Sequence, residues 1–171
     1  MGTLAQNDTL DVIYITTIYS KLTSKQKKKI INFLKNNFSN DNNSFDFDPS
    51  TIIILSMLNN EIIGCICLFD NKFLLNKLNI NNISTEYYSI NNSHGCFIYN
   101  FCVDKNHRNK KVGFNLLRYT LDKMKSLNID YLHTQAENEI SHILFLKNGF
   151  MEDTYFQSPS NQKVFVMSKY L

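Results

Sequence analysis

The period of the apolar positions changes several times along this chain, and each change marks an element. Asp11 to Tyr19 reads as a first strand. Thr23 to Phe38 reads as a helix that Thr23 or Ser24 can cap, with Ile30, Leu34 and Phe38 recurring on one face, backed by Ile31. Ser39 to Ser50 is polar and loop-like. Thr51–Leu58 and Ile62–Phe69 are β-branched apolar runs around Asn59-Asn60-Glu61, which predicts a hairpin with both strands largely buried. Residues 70–93 carry scattered Leu, Ile and Tyr among many Asn and hold no sustained period. They read as an Asn-rich insertion, either lengthening the hairpin, covering a neighbouring site or running free on the surface.

Cys96 to Val103 is an apolar strand that ends in a basic turn. The turn opens a helix-periodic segment, Phe114 to Leu127, with Phe114, Leu117, Leu121 and Met124 as its expected buried stripe and Asn115, Arg118, Asp122 and Lys125 outside. Asp130–Ala136 predicts a strand, Asn138–Asn148 a short helix stopped by Gly149, and Lys163–Leu171 a terminal strand. Hairpins outnumber crossovers in this order, which predicts an α+β layered sheet rather than a doubly wound one. No repeat or linker interrupts it, so residues 1–171 read as a single domain.

Composition narrows the partners. The chain has 24 Asn, but Ile, Lys and Asn are abundant together, so a single Asn is a weak loop signal here. A net charge of +3 is too even for a protein whose main partner is nucleic acid. The basic residues cluster: Lys25, Lys27, Lys28 and Lys29 on the first helix, and Lys105, Arg108, Lys110 and Lys111 in the turn. No apolar run has the roughly 18 residues a membrane span needs. Met-Gly-Thr-Leu-Ala-Gln at the start lacks the regions of a secretion signal, and Gln6 stands where a myristoylation signal has Ser or Thr. Cys65, Cys67, Cys96 and Cys102 lie in apolar runs without a C-x-x-C pair, as reduced core thiols of a cytoplasmic protein would, and predict no metal site.

The basic turn carries the chemistry. A strand that feeds a helix through a short cationic turn leaves backbone N–H groups, a helix dipole and ammonium groups at one place, which suits phosphate oxygens. The turn matches neither the P-loop nor the dinucleotide fingerprint. Val103, Arg108 and Gly113 instead match the pattern V-x-P-x-x-R/Q-x-x-G-x-G/A, with Lys105 in place of Pro and Lys111 in place of the first Gly. Further on, Asn138, Ser141, Gly149 and Phe150 match N-x-x-A/S-x-x-F/L-Y-x-x-x-G-F/Y, with Phe145 where Tyr is usual. In these two segments the chain resembles the GNAT superfamily of acyl-CoA-dependent N-acetyltransferases, closely over about its last 80 residues and by element order over the rest.

The resemblance implies a mixed, mostly antiparallel central sheet with helices on both faces. It also implies acetyl-CoA as co-substrate, without a metal. The pyrophosphate would lie against Arg108, Asn109, Lys110, Lys111, Val112, Gly113 and Phe114, and the pantetheine arm along the backbone of Phe101, Cys102 and Val103. Asn138 and Phe145 would border it. The acceptor is a primary amine: a small amine, an amino sugar such as glucosamine 6-phosphate, or a protein amine, with no nucleic acid or membrane partner. The protein would be a monomer or homodimer. The family's strand often carries a Glu as base, and Ile98 to Val103 holds no acid, so Tyr99, Asn100 and His133 are the catalytic candidates, with His142 behind them. Phe145 cannot donate to a departing thiolate as Tyr does. That absence also motivates the alternative of a non-catalytic acyl-CoA-binding or regulatory module.

Overall fold

A computed structural model describes residues 11–38, 45, 47–81, 84, 85, 88, 90 and 94–171. The N-terminal hexapeptide, Tyr87 and most of the predicted 39–50 loop lie outside these residues. Seven strands form one mixed sheet in the order β1-β2-β3-β4-β5-β7-β6. They are β1 (Ile13–Ile18), β2 (Ile52–Leu58), β3 (Glu61–Asp70), β4 (Gly95–Val103), β5 (Tyr131–Ala136), β6 (Met151–Gln157) and β7 (Lys163–Tyr170). Among the described residues only β4 and β5 pair in parallel. The helices are α1 (Ser24–Asn37), α2 (Asn71–Ile80), α3 (Val112–Ser126) and α4 (Glu139–Lys147). This is the expected α+β architecture.

Local chemistry explains most element ends. Thr23 and Gln26 form a reciprocal capping box at the start of α1. Asn59 and Asn60, both at positive φ (49° and 65°), make the two-residue turn between β2 and β3. α4 ends in a Schellman motif: Phe150 N–H bonds Phe145 O at 3.1 Å, Gly149 N–H bonds Leu146 O at 2.9 Å, and Gly149 sits at φ +80°. The rings of Phe145 and Phe150 meet edge to face, centroids 5.0 Å apart.

Two expectations are corrected. Residues 71–80 form a helix, not part of an irregular insertion. The Asp70 carboxylate accepts from the N–H groups of Lys72 (2.6 Å) and Phe73 (3.1 Å), and Asn71, Leu74 and Leu78 form a buried stripe at helical spacing. The buried face of α3 is also rotated from the predicted one. Val112, Leu116, Leu117, Thr120 and Met124 are buried, while Phe114 and Leu121 are only half-buried, because Leu116, Leu117 and Met124 are the side chains that pack with Ile54, Ile66 and Leu68 of the sheet.

The helices divide between the two faces. α3 and α4 pack with Ile54, Ile66, Leu68, Ile98, Leu132 and Phe165 in the largest apolar cluster. α1 covers Ile53, Leu55, Cys65, Cys67 and Cys102 on the opposite face, and α2 adds a smaller cluster around Phe97. All four cysteines are free and buried. The hydrogen-bonded Cys67 thiol and burial push Cys65 up, and burial pushes Cys96 to about 12, so Cys65 and Cys96 remain neutral core thiols.

Candidate functional site

The parallel ladder between β4 and β5 is short: it joins Gly95–Ile98 to Tyr131–Thr134 and stops. Thr134 closes it by donating its hydroxyl to Ile98 O at 2.9 Å, which satisfies a carbonyl that would otherwise face the gap. Past this point the strands part. On the other edge of β4 the register with β3 shifts: Leu68 pairs with Ile98 but Cys67 pairs with Asn100, so Tyr99 is an extra residue, a β-bulge. A bulge bends the strand and re-aims side chains where the ladder with β5 has just ended.

A cavity of about 650 Å³ occupies the opening. Ile98, Tyr99, Asn100 and Phe101 of β4, with Thr134 and Gln135 of β5, form its floor. Glu137, Asn138, Ser141 and Phe145 close one end, while Phe38, Phe45, Phe69, Leu74, Lys77, Leu78, Asn81, Tyr88 and Phe97 line the rest. Asn138 caps α4, accepting from Ser141 N–H at 2.9 Å. Phe145 is 2% exposed and meets Phe101 edge to face at 5.9 Å.

The basic turn lies beside the Phe101 end. Lys105–His107 make a single 3-10 turn, and Asn106 N–H and His107 Nδ1 each lie 2.9 Å from Asp104 Oδ1. The His107 contact, more than any other, holds the Asp104 carboxyl below the usual carboxylate range. Arg108 Nε donates to Val103 O at 3.2 Å. Asn109 and Lys111 are left-handed, both at φ 61°. Lys111 occupies the N-cap of α3 and makes no side-chain cap; the first helical bond runs from Asn115 N–H to Lys111 O at 2.9 Å. The N–H groups of Val112, Gly113 and Phe114 thus open the helix without a capping side chain. A methyl on Gly113 would stand 3.3 Å from Val103, 3.6 Å from Phe101 and 3.7 Å from Leu144, so the helix start is pressed against β4 and α4. Positive dipole, uncapped N–H groups and the exposed Arg108, Asn109, Lys110 and Lys111 are what a diphosphate requires, and no metal need join them.

Of the residues singled out from the sequence, Tyr99, Asn100, Phe101, Asn138 and Phe145 meet in the cavity. Cys102 does not: its side chain belongs to the α1-side cluster, which leaves only its backbone to the cavity edge. His133 does not line the cavity either. It is fully buried, with Nε2 2.6 Å from Asn71 Oδ1 and its ring against Phe97 and Tyr131. Desolvation lowers its pKa to about 3. His142 stacks on Phe165 and pairs with Glu152 at 2.9 Å. Tyr99 stacks on Phe69 at 3.7 Å. Burial raises its pKa, and the nearby Thr51 hydroxyl and Asn100 offset this only in part, since neither makes a hydrogen bond of normal geometry with it. It titrates above the usual phenol range and stays protonated.

Sequence reasoning missed Glu137, the only carboxylate among the described lining residues. Its signal was available: an acid between the end of β5 and the Asn138 cap. It also missed the aromatic and Leu side chains that α1, β3 and α2 bring from a distance. Among the described residues no group of His, Cys, Asp and Glu can hold a metal ion, and no helix is long and apolar enough to cross a membrane.

Comparison with known proteins agrees with this geometry. The sequence profile described as Acetyltransferase (GNAT) family matches residues 16–150. No curated protein matches the chain significantly. Among solved structures, an acyl-CoA N-acyltransferase from Pseudomonas aeruginosa has a TM-score of 0.69 at 12% identity, covering 92% of this chain and 99% of its own. Escherichia coli ElaA has 0.65 at 14%, covering 92% and 99%. The ribosomal-protein-S18-alanine N-acetyltransferase of Escherichia coli has 0.61 at 10%, covering 92% and 94%. At these identities the likeness is one of fold.

Proposed function

Since this chain belongs to the acetyltransferase (GNAT) family, we propose that it moves an acetyl group from acetyl-CoA directly to a primary amine. The observation that carries the reading is the uncapped start of α3 pressed against β4, where β4 and β5 part. Acetyl-CoA is the family's usual co-substrate, and the turn suits its pyrophosphate. Arg108, Lys110 and Lys111 supply cations, 112–114 supply N–H groups, and Gly113 leaves room for the backbone to approach. The thioester end then points past Phe101 and Phe145 into the cavity.

In the transfer a C–N bond forms as the C–S bond breaks. The ammonium gives up a proton and the thiolate takes one. Glu137 accepts the proton from the amine, directly or through water, the role that sequence reading left to Tyr99, Asn100 and His133. Tyr99 stays a protonated wall, and His133 is held neutral outside the cavity. The backbone at the bulge, where the ladder to β3 is interrupted, supplies the N–H that stabilises the carbonyl oxygen. Phe145 shields the sulfur without donating to it, so solvent protonates the thiolate.

Isothermal titration with acetyl-CoA, followed by CoA release in the presence of amines, tests the reading. Binding in the micromolar range and amine-dependent CoA release are expected. No heat at millimolar acetyl-CoA removes it, and binding without release to any amine favours the non-catalytic alternative that Phe145 suggests.

A further inference from the structure

We propose that the acceptor is a small primary amine on an aromatic or branched apolar body, and not an amino sugar phosphate or a polyamine. The inference rests on the acyl-transfer reading above and narrows it.

The cavity is polar at one end and apolar at the other. Four of its polar side chains, Gln135, Glu137, Asn138 and Ser141, gather where β5 meets α4, with Asn100 on β4 and Lys77 and Asn81 on the α2 side. Away from them, Tyr99 and Phe69 stack face to face, 3.7 Å between centroids and 4° between planes, and both line the cavity. Leu74 and Leu78, one helical turn apart, are 6% and 3% exposed and face the same space from α2. Phe97 and Tyr88 meet edge to face at 5.5 Å. Phe38 and Phe45, 6.0 Å apart, close the far end. A ligand body that fills this end gains by removing apolar surface from water, on the order of 25 cal/mol for each Å². A phosphorylated or polyhydroxylated body would lose its hydration against these rings and leucines, with only Lys77 and Asn81 on that side to compensate.

The charges agree. Glu137 and Lys77 are the only charged residues among the described lining. Glu137 stands at the polar end and suits the ammonium. Lys77 sits with Nζ 5.4 Å from the centroid of the Phe73 ring on the same helix. One lysine is a weak match for a phosphate dianion, whose sites gather several cations or a guanidinium fork. A single carboxylate also fits one ammonium better than the several of a polyamine. The arrangement thus sets the amine near β4 and Glu137 and its body toward α2. A cavity of about 650 Å³ is of the size that takes a small ligand.

The test measures CoA release at saturating acetyl-CoA for four acceptors: phenethylamine, glucosamine 6-phosphate, spermidine and a short peptide with an N-terminal Phe. Acetyl-CoA binding is followed separately by calorimetry. Phenethylamine should exceed glucosamine 6-phosphate and spermidine by at least about tenfold in kcat/KM, and should exceed the peptide. Leu74→Gln should raise the KM for phenethylamine by about tenfold while leaving the acetyl-CoA Kd unchanged. If that variant does not fold, Phe69→Leu, which removes the stacked ring at a half-buried position, should do the same. A preference for the sugar phosphate or the polyamine overturns the inference and leaves acyl transfer standing. A preference for the peptide overturns the small-acceptor assignment. An unchanged phenethylamine KM in a folded variant overturns the placement of the body against α2. Failure to bind acetyl-CoA overturns the acyl-transfer reading itself, and the inference with it.

Discussion

Asn71 Oδ1 lies 2.6 Å from His133 Nε2, and both residues are fully buried. An amide oxygen only accepts, so Nε2 carries the proton of a neutral ring. The bond ties the first residue of α2 to the middle of β5. Gly95 makes room for it, since a Cβ there would come within 2.7 Å of Asn71 Nδ2. The helix that walls the cavity is thereby anchored to the one strand that pairs in parallel with β4.

This pair makes stability depend on pH. With its folded pKa near 3 against an ordinary 6.5, His133 binds fewer protons folded than unfolded in that interval. Stability is therefore full above about pH 6.5 and falls as pH drops toward 3. The melting temperature should fall between pH 7 and pH 4.5, and His133→Gln, which keeps a donor for Asn71, should reduce that fall. An identical pH dependence in the variant would assign the acid sensitivity elsewhere.

Lys111 holds a left-handed backbone at φ 61°, ψ 7°, which a side chain disfavours. Lys111→Gly should raise stability by about 1 kcal/mol. It should also weaken acetyl-CoA binding at low ionic strength, with mutant and parent converging as salt screens the ammonium. Thermal melts and titrations at two salt concentrations check both.

Phe145 keeps its ring between Phe101 and Phe150. Phe145→Tyr should raise kcat by supplying a proton donor beside the sulfur, up to the low end of the roughly 10²–10⁴-fold range of acid–base help. Phe145→Ala should cost about 3–5 kcal/mol of stability by leaving a core cavity. A Tyr variant that melts like the parent but turns over far more slowly would place the ring away from the sulfur.

Glu137→Gln should lower kcat by about 10²-fold with the acetyl-CoA Kd unchanged, and Glu137→Asp should recover part of the loss. Equal loss in kcat and in acetyl-CoA affinity would point to a structural role at the α4 start instead.

Much of this was legible in the residues. The Asn59–Asn60 hairpin, the Thr23 cap, Gly149 and the strand–turn–helix from Cys96 to Leu127 each carry a local signal. α2 was not legible, because three Asn in ten residues lower its helix propensity and its stability comes from Leu74 and Leu78 packing on Phe97. The start of α3 was hidden by Lys111, which offers no capping side chain. His133 sits on a strand buried at Tyr131–Thr134, where both faces are apolar and alternation cannot tell which way a side chain points. The cavity walls come from elements far apart in sequence, so only the fold assembles them.

The extra residue in β4 has a bearing on how such a site arises. Phe97, Tyr99 and Cys102 belong to the clusters on one side of the sheet, and Cys96, Ile98 and Phe101 pack on the other. The odd-even alternation of the strand therefore changes phase between Tyr99 and Phe101. Removing one residue at that point would restore strict alternation with every neighbour still on its present side. The packing lost with it would be that of Tyr99 on Phe69 and Phe47. A strand one residue shorter would keep the alternation of its neighbours and lose the aromatic ring that the bulge sets beside the opening.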